Sequence, residues 1–169
     1  RSRAQIVAVT GSVGKTTTKD LLGHVLSATG PTVMPRASFN NEIGLPLTVL
    51  QADAQTRYLV LEMGASAPGD LTYLTGIAPP DVSVVLAVGS AHLGGFGGIE
   101  GVARAKSEIV TGLAPGGVAV LNADDDLVEE QGRPTDDVQV PQGDRVEGSR
   151  ADGKSHPLTV VHPHLVSHD

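Results

Sequence analysis

A short apolar run, Gln5-Ile-Val-Ala-Val-Thr10, is broken by Gly11-Ser12-Val13-Gly14 and resumes as Lys15-Thr16-Thr17 at the head of a helical pattern. An apolar run this short suits a strand buried on both faces. From Thr16 to about Thr29 a helix is predicted, with Leu21, Leu22, Val25 and Leu26 as its apolar stripe and Gly30-Pro31 as its stop. A strand buried on both faces needs helices above and below it, and the chain repeats the alternation. Thr32–Met34 reads as a short second strand, and Gly44–Leu50 as a short helix with Pro46 in its first turn. Tyr58–Met63, Val82–Val88 and Gly117–Leu121 read as further buried strands. Pro68–Ile77 reads as a helix, as does Ile99–Leu113, where Val102, Ala105, Ile109 and Leu113 fall at helical spacing. Alternation of this kind predicts an α/β fold, a mostly parallel sheet flanked by helices. In such folds ligands bind beyond the carboxyl ends of the strands.

Composition narrows the class. A chain of 169 residues with a net charge of −7 fits one domain. Its four aromatics, Phe39, Tyr58, Tyr73 and Phe96, and its acidic balance argue against a nucleic-acid partner, which needs a basic face and stacking rings. No apolar run approaches a membrane span, so no membrane insertion is expected. The absence of cysteine excludes disulfides and zinc–thiolate sites. No signal-peptide pattern precedes the first strand, so a soluble, cytoplasmic protein is expected. Residues 1–126 hold every aromatic and 17 of the 21 glycines, and are expected to form the folded body. Residues 127–169 carry 4 basic and 8 acidic side chains and four of the six histidines. They are read as an appendage too poor in apolar residues to build its own core, with one short strand at Leu158–Val161.

The chemistry concentrates where strands end. The long phosphate-loop pattern would need Gly at position 9, where Val9 stands. The shorter form Gly11-x-x-Gly14-Lys15-Thr16 is present, and its physics is the same. Gly11 and Gly14 let backbone N–H groups approach phosphate oxygens, together with the amides of Ser12, Val13 and Thr17. The helix N-terminus faces the same anion, Lys15 adds a point charge, and the Thr16 hydroxyl is placed for Mg²⁺. Glu62 ends a neighbouring apolar strand, where a carboxylate can hold that Mg²⁺. His92 follows the Val82 strand and reads either as a loop residue or as a metal or substrate group. Lys106, taken alone, reads as a solvated helix lysine. Asn40-Asn41-Glu42 reads as a turn and helix cap. Asn122, Asp124, Asp125 and Asp126 either contact nucleotide or only begin a turn.

Together, six segments resemble the central ATP-binding domain of the Mur ligases of peptidoglycan synthesis. They are Thr10–Lys19, Ser38–Pro46, Leu61-Glu-Met-Gly64, Gly89–Gly97, Ala105-Lys-Ser-Glu-Ile109 and Val120-Leu-Asn-Ala-Asp-Asp125. The short Gly-x-x-Gly-Lys-Thr loop is that family's own form. Phe39-Asn-Asn-Glu-Ile-Gly44 and His92-Leu-Gly-Gly-Phe-Gly97 are most similar to its members that add D-alanyl-D-alanine to UDP-muramoyl tripeptide. The resemblance implies an ATP-dependent amide ligase working through an acyl phosphate. It implies that Lys15 and the loop amides hold phosphates, and that Thr16 and Glu62 serve one Mg²⁺. It implies that His92 and a carbamylated Lys106 serve a second Mg²⁺, and that Asn41 and Glu42 approach the metal and phosphates. The family also has an N-terminal UDP-binding and a C-terminal domain, which these residues do not show. A fragment without turnover of its own is therefore expected. The alternatives are a non-catalytic ATP-binding module and a folylpolyglutamate synthase-like ligase of the same superfamily.

Overall fold

The computed structural model describes residues 4–89 and 93–129 (93, 94 and 129 by backbone alone) and, also by backbone alone, strands between 138 and 165. Strand β1 (Gln5–Thr10) ends in four consecutive buried residues, as its apolar run requires. It pairs in parallel with β3 (Tyr58–Glu62) on one side and β4 (Val82–Val85) on the other, setting Val9 opposite Glu62 and Thr10 opposite Val85. β2 (Thr32–Val33) lies outside β3, and β5 (Val118–Asn122) outside β4, both parallel. The chain thus runs outward from β1 to β2, returns to β3 and then crosses β1 to reach β4. The crossovers diverge at the carboxyl end of β1, and a divergence of this kind opens the crevice where α/β folds bind ligands.

Six helices accompany the sheet among the described residues: α1 (Lys15–Ser27), α2 (Gly44–Val49), α3 (Asp70–Ile77), α4 (Leu93–Phe96), α5 (Ile99–Thr111) and α6 (Asp126–Glu129). Helix α5 buries Val102, Ala105, Ile109 and Val110, the periodicity its sequence shows. Burying each of the larger of these contributes about 2 kcal/mol. Helix α3 begins after Gly69, a left-handed residue with no capping side chain. The cap comes from α5 instead. Glu108 accepts hydrogen bonds from the Gly69 and Thr72 amides at 2.7 and 3.0 Å and from the Thr72 hydroxyl at 3.0 Å.

Three expectations are corrected. Helix α1 packs on only half of the stripe Leu21, Leu22, Val25 and Leu26: Leu22 and Leu26 are half-buried. Leu21 and Val25 are 64% and 66% exposed, while Lys19 and Gly23 are buried. The close approach of Met34, just after β2, explains it: its Sδ would lie 2.0 Å from a Cβ at position 23, so only glycine fits there without a shift. Strand β4 stops at Val85 rather than Val88: Leu86 N–H still reaches the Thr10 carbonyl of β1, and residues 87–89 turn to other partners described below. The 127–169 segment holds more than one short strand. β8 (Ser155–Val161) joins the free edge of β5 antiparallel, and β7 (Asp144–Ser149) joins β8. A separate two-stranded pair forms from β6 (Val138–Gln139) and β9 (His164–Leu165). The remaining element boundaries shift by a few residues, and α4 had no helical signal in its Leu-Gly-Gly-Phe sequence.

Candidate nucleotide site

The β1–α1 turn is built around two glycines. At Gly11 a Cβ would sit 2.9 Å from Leu86 Cβ, so a larger residue would push the turn off the β4 exit. Gly14 caps α1 at φ +82°, a conformation that glycine adopts without strain. The first bond into the helix runs from Thr18 N–H to the Gly14 carbonyl at 2.9 Å. The amides of Lys15, Thr16 and Thr17 therefore have no acceptor within the helix and point outward from its positive end. Lys15 folds back over the loop, its Nζ donating to the Gly11 carbonyl at 2.8 Å.

Under the loop sits a compact polar cluster. Glu62 is 1% exposed, yet both carboxylate oxygens are engaged. Oε2 accepts the Thr16 hydroxyl at 2.8 Å and Oε1 accepts the Asn40 amide at 2.7 Å. Thr16 Oγ1 also lies 2.9 Å from Ser38 Oγ. Since the Thr16 proton goes to Glu62, Ser38 supplies the proton of that second bond. The segment 38–41 is thereby strapped across the end of β3, and Gly64 N–H donating to the Asn40 carbonyl at 2.8 Å fixes it further. A buried carboxylate beside a hydroxyl is a hard oxygen donor pair. It suits Mg²⁺, which takes one or two protein ligands and completes its shell with phosphates and water. Among the described residues no group of three or more His, Asp or Glu gathers for a metal.

A cavity of about 700 Å³ opens over this cluster. Gly11, Ser12 and Lys15 form one wall, Asn40, Asn41 and Glu42 a second, and Asp70, Tyr73, Phe96 and Lys106 are among the rest of the lining. Lys106 is 5% exposed and is not a solvated helix lysine. Burial, and then the Lys15 ammonium, push its pKa down to about 8. Among the described residues no hydrogen bond or ion pair to the Lys106 side chain is formed.

The structure thus brings together Gly11, Ser12, Lys15, Thr16, Asn41, Glu62 and Lys106. Val13 and Thr17 are exposed on the loop and the first helical turn. His92 lies outside the described residues. Asn41 lines the cavity, but its side-chain oxygen accepts the Gly44 amide at 2.9 Å and so caps α2. Its neighbour Asn40 reaches Glu62 instead. Neither Asn40 nor Ser38 carries a signal of its own in the sequence. With two asparagines ahead of a helix, the one nearer the helix caps it and the other is free to face the strand end.

A parallel arrangement of β1–β5 with a glycine–lysine loop between β1 and α1, and an acid at the end of the neighbouring strand β3, has the form of a phosphate-loop α/β domain. Comparison with known proteins narrows this. The Mur ligase middle domain matches residues 9–141, and the chain belongs to the Mur ligase family. It is 52% identical over 123 residues to the UDP-N-acetylmuramoyl-tripeptide–D-alanyl-D-alanine ligase of Mycobacterium leprae, covering 73% of this chain and 24% of that protein. It is 40% identical over 121 residues to the Escherichia coli ligase of the same name, covering 72% and 27%. The chain spans about a quarter of the length of these curated relatives. Among solved structures it is similar to the MurF ligase of Thermotoga maritima in complex with ADP, with a TM-score of 0.73 and 36% identity over 94% of this chain and 40% of that one. A MurF structure from Acinetobacter baumannii matches 98% of this chain and 39% of its own, at a TM-score of 0.73 and 33% identity.

Proposed function

We propose that this chain is the ATP-handling part of a ligase that joins D-alanyl-D-alanine to UDP-muramoyl tripeptide. The observation that carries the reading is the buried Glu62, hydrogen-bonded to Thr16 under a glycine–lysine loop, beside a cavity that also holds Lys106. The names of the relatives support the substrates, and the ADP bound to the Thermotoga maritima ligase supports the nucleotide. In the reaction, a substrate carboxylate oxygen attacks the γ-phosphorus of ATP and the bond to the β-phosphate oxygen breaks, releasing ADP. The amine of the dipeptide then attacks the acyl carbon. The bond from that carbon to the phosphate oxygen breaks, phosphate leaves, and the nitrogen loses a proton.

The chain's residues supply positioning and charge neutralisation. Lys15 exchanges its internal bond to the Gly11 carbonyl for phosphate oxygens, joined by the amides at the head of α1. Thr16 and Glu62 would hold one Mg²⁺, which would supply positive charge beside the phosphates. Asn40 keeps the Glu62 carboxylate oriented. Lys106 as an ammonium would repel both Lys15 and a metal. Its burial favours the neutral amine, and attack of that amine on CO₂ forms an N–C bond, releases a proton and leaves a carbamate anion. That carbamate would suit a second Mg²⁺, for which His92 would be a further ligand. Residues 1–126 carry this site, and residues 127–169 extend the same domain. The 169-residue polypeptide alone is expected to bind nucleotide without forming product. Calorimetric titration with Mg·ATP tests the reading. Lys15→Ala should weaken binding about ten- to hundredfold, the effect of one hydrogen bond to a charged group. Equal affinity in both forms would refute it.

A further inference from the structure

The segment that leaves β4, residues 86–89, belongs to no regular element, yet its polar backbone is claimed from both sides. From the phosphate-loop side, Leu86 N–H donates to the Thr10 carbonyl at 3.0 Å and Ser12 N–H donates to the Ala87 carbonyl at 2.8 Å. Gly89 N–H donates to Ser12 Oγ at 2.8 Å. From the other side come two residues that follow one another closely at the end of β5. Asn122 Nδ2 donates to the Leu86 carbonyl at 2.8 Å. Asp125 Oδ2 accepts Val88 N–H at 2.9 Å, while its Oδ1 accepts the amides of Leu127 and Val128 at 3.1 and 3.3 Å and caps α6. Asn122 also accepts the Asp124 amide at 3.1 Å, so the same side chain turns the chain and reaches the β4 exit.

We propose that Asn122 and Asp125 are positioning residues for the phosphate loop, acting through residues 86–89. Neither lines the cavity. The coupling is mechanical. Gly11 rests on Leu86 so closely that a Cβ would meet it at 2.9 Å, and Ser12 is held at both its amide and its hydroxyl. Without Asn122 the Leu86 carbonyl loses its side-chain donor. Without the Asp125 carboxylate the Val88 amide loses its acceptor. A half-buried polar group left unsatisfied pulls toward water, and the support under Gly11 and Ser12 shifts with it. The anion-binding amides then lose the preorganisation that makes them tight. The inference deepens the proposed function and rests on the loop holding nucleotide phosphates.

The test compares Mg·ADP affinity, thermal midpoint and amide hydrogen exchange in the chain and its variants. Asp81→Asn is the matched control. Asp81 accepts the Ile6 amide at 2.7 Å, the same kind of carboxylate-to-backbone bond at the opposite end of the sheet. Asn122→Ala and Asp125→Ala should each weaken Mg·ADP about tenfold or more, as loss of one such bond implies. They should also raise exchange at the Ser12, Val88 and Gly89 amides. Asp125→Asn keeps one acceptor oxygen and should fall between Asp125→Ala and the unaltered chain. Asp81→Asn should lower the midpoint and leave affinity unchanged. If the Asn122 and Asp125 variants lower the midpoint like Asp81→Asn but keep full affinity, their role is structural only and the inference is overturned. If the unaltered chain fails to bind, or Lys15→Ala binds equally well, the phosphate-site reading itself fails and takes the inference with it. The two failures are distinguished by the Lys15→Ala comparison.

Discussion

At the residue scale, Glu62 and Lys106 illustrate opposite costs of burial. Glu62 is buried with both oxygens satisfied by neutral donors. Glu62→Gln should leave the loop's geometry intact but remove the magnesium dependence of nucleotide binding, read as equal affinity with and without the metal. Lys106 is buried near another cation. Its folded pKa of about 8 lies below the ordinary 10.5. Between those values the unfolded chain binds more protons than the folded one, so stability should rise with pH from about 8 to 10.5. Below about 8 both states are charged and the penalty is full and constant. Lys106→Met should abolish the alkaline rise and raise the thermal midpoint at neutral pH, as pH-dependent melting would show. The placement of the glycine loop, Thr16 and Glu62 at neighbouring strand ends was legible because short apolar runs mark where each strand stops. The burial of Lys106 was not, because a lysine among Arg104, Ser107 and Glu108 looks solvated until α3 packs over it. Asn40 and Ser38 were not legible because their role depends on how the strap crosses β3.

At the element scale, strands were read more accurately than helix faces. An apolar run declares its burial directly. A helix face depends on what approaches it, and α1 is met by Met34 at Gly23 rather than by a partner for Leu21 and Val25. Two of the helical glycines make contrasting predictions. At Gly101, in the first turn of α5, a Cβ would lie 1.7 Å from the Phe96 carbonyl oxygen, which is backbone and cannot yield. Gly101→Ala should cost about 3 kcal/mol in denaturant unfolding, the upper end of ordinary overpacking. At Gly23 the obstacle is a methionine sulfur, and methionine turns aside easily. Gly23→Ala should cost about 1 kcal/mol or less, since alanine regains helix propensity. The exit from β4 misled for a related reason. Leu86-Ala-Val88 is as apolar as a strand, but past the Leu86 amide, which still meets Thr10, its hydrogen bonds go to Ser12, Asn122 and Asp125.

At the scale of the whole molecule, the sheet serves to bring three chain segments to one edge. The β1–α1 loop, the end of β3 and the strap before α2 are far apart in sequence and meet at the carboxyl end of the central strands. The meeting of the loop with the end of β3 follows from parallel pairing and was readable from the alternation of strands and helices, whereas the strap was read only as a turn and cap. The extent of the sheet was less so. The strand-forming signal in 127–169 is diluted by polar residues, and β7 and β8 form because β5 offers them an edge. No described helix is long and apolar enough to cross a membrane.

The central claim is that one magnesium-assisted phosphate site is built by the β1–α1 loop and the end of β3. A crystal structure of the chain with magnesium and a non-hydrolysable ATP analogue tests it most directly. The account predicts phosphate oxygens on Lys15 and on the amides at the start of α1, with a metal ion held between Thr16 and Glu62. A nucleotide bound elsewhere, or one bound at the loop with Glu62 still closed on Thr16 and no metal between them, would contradict it.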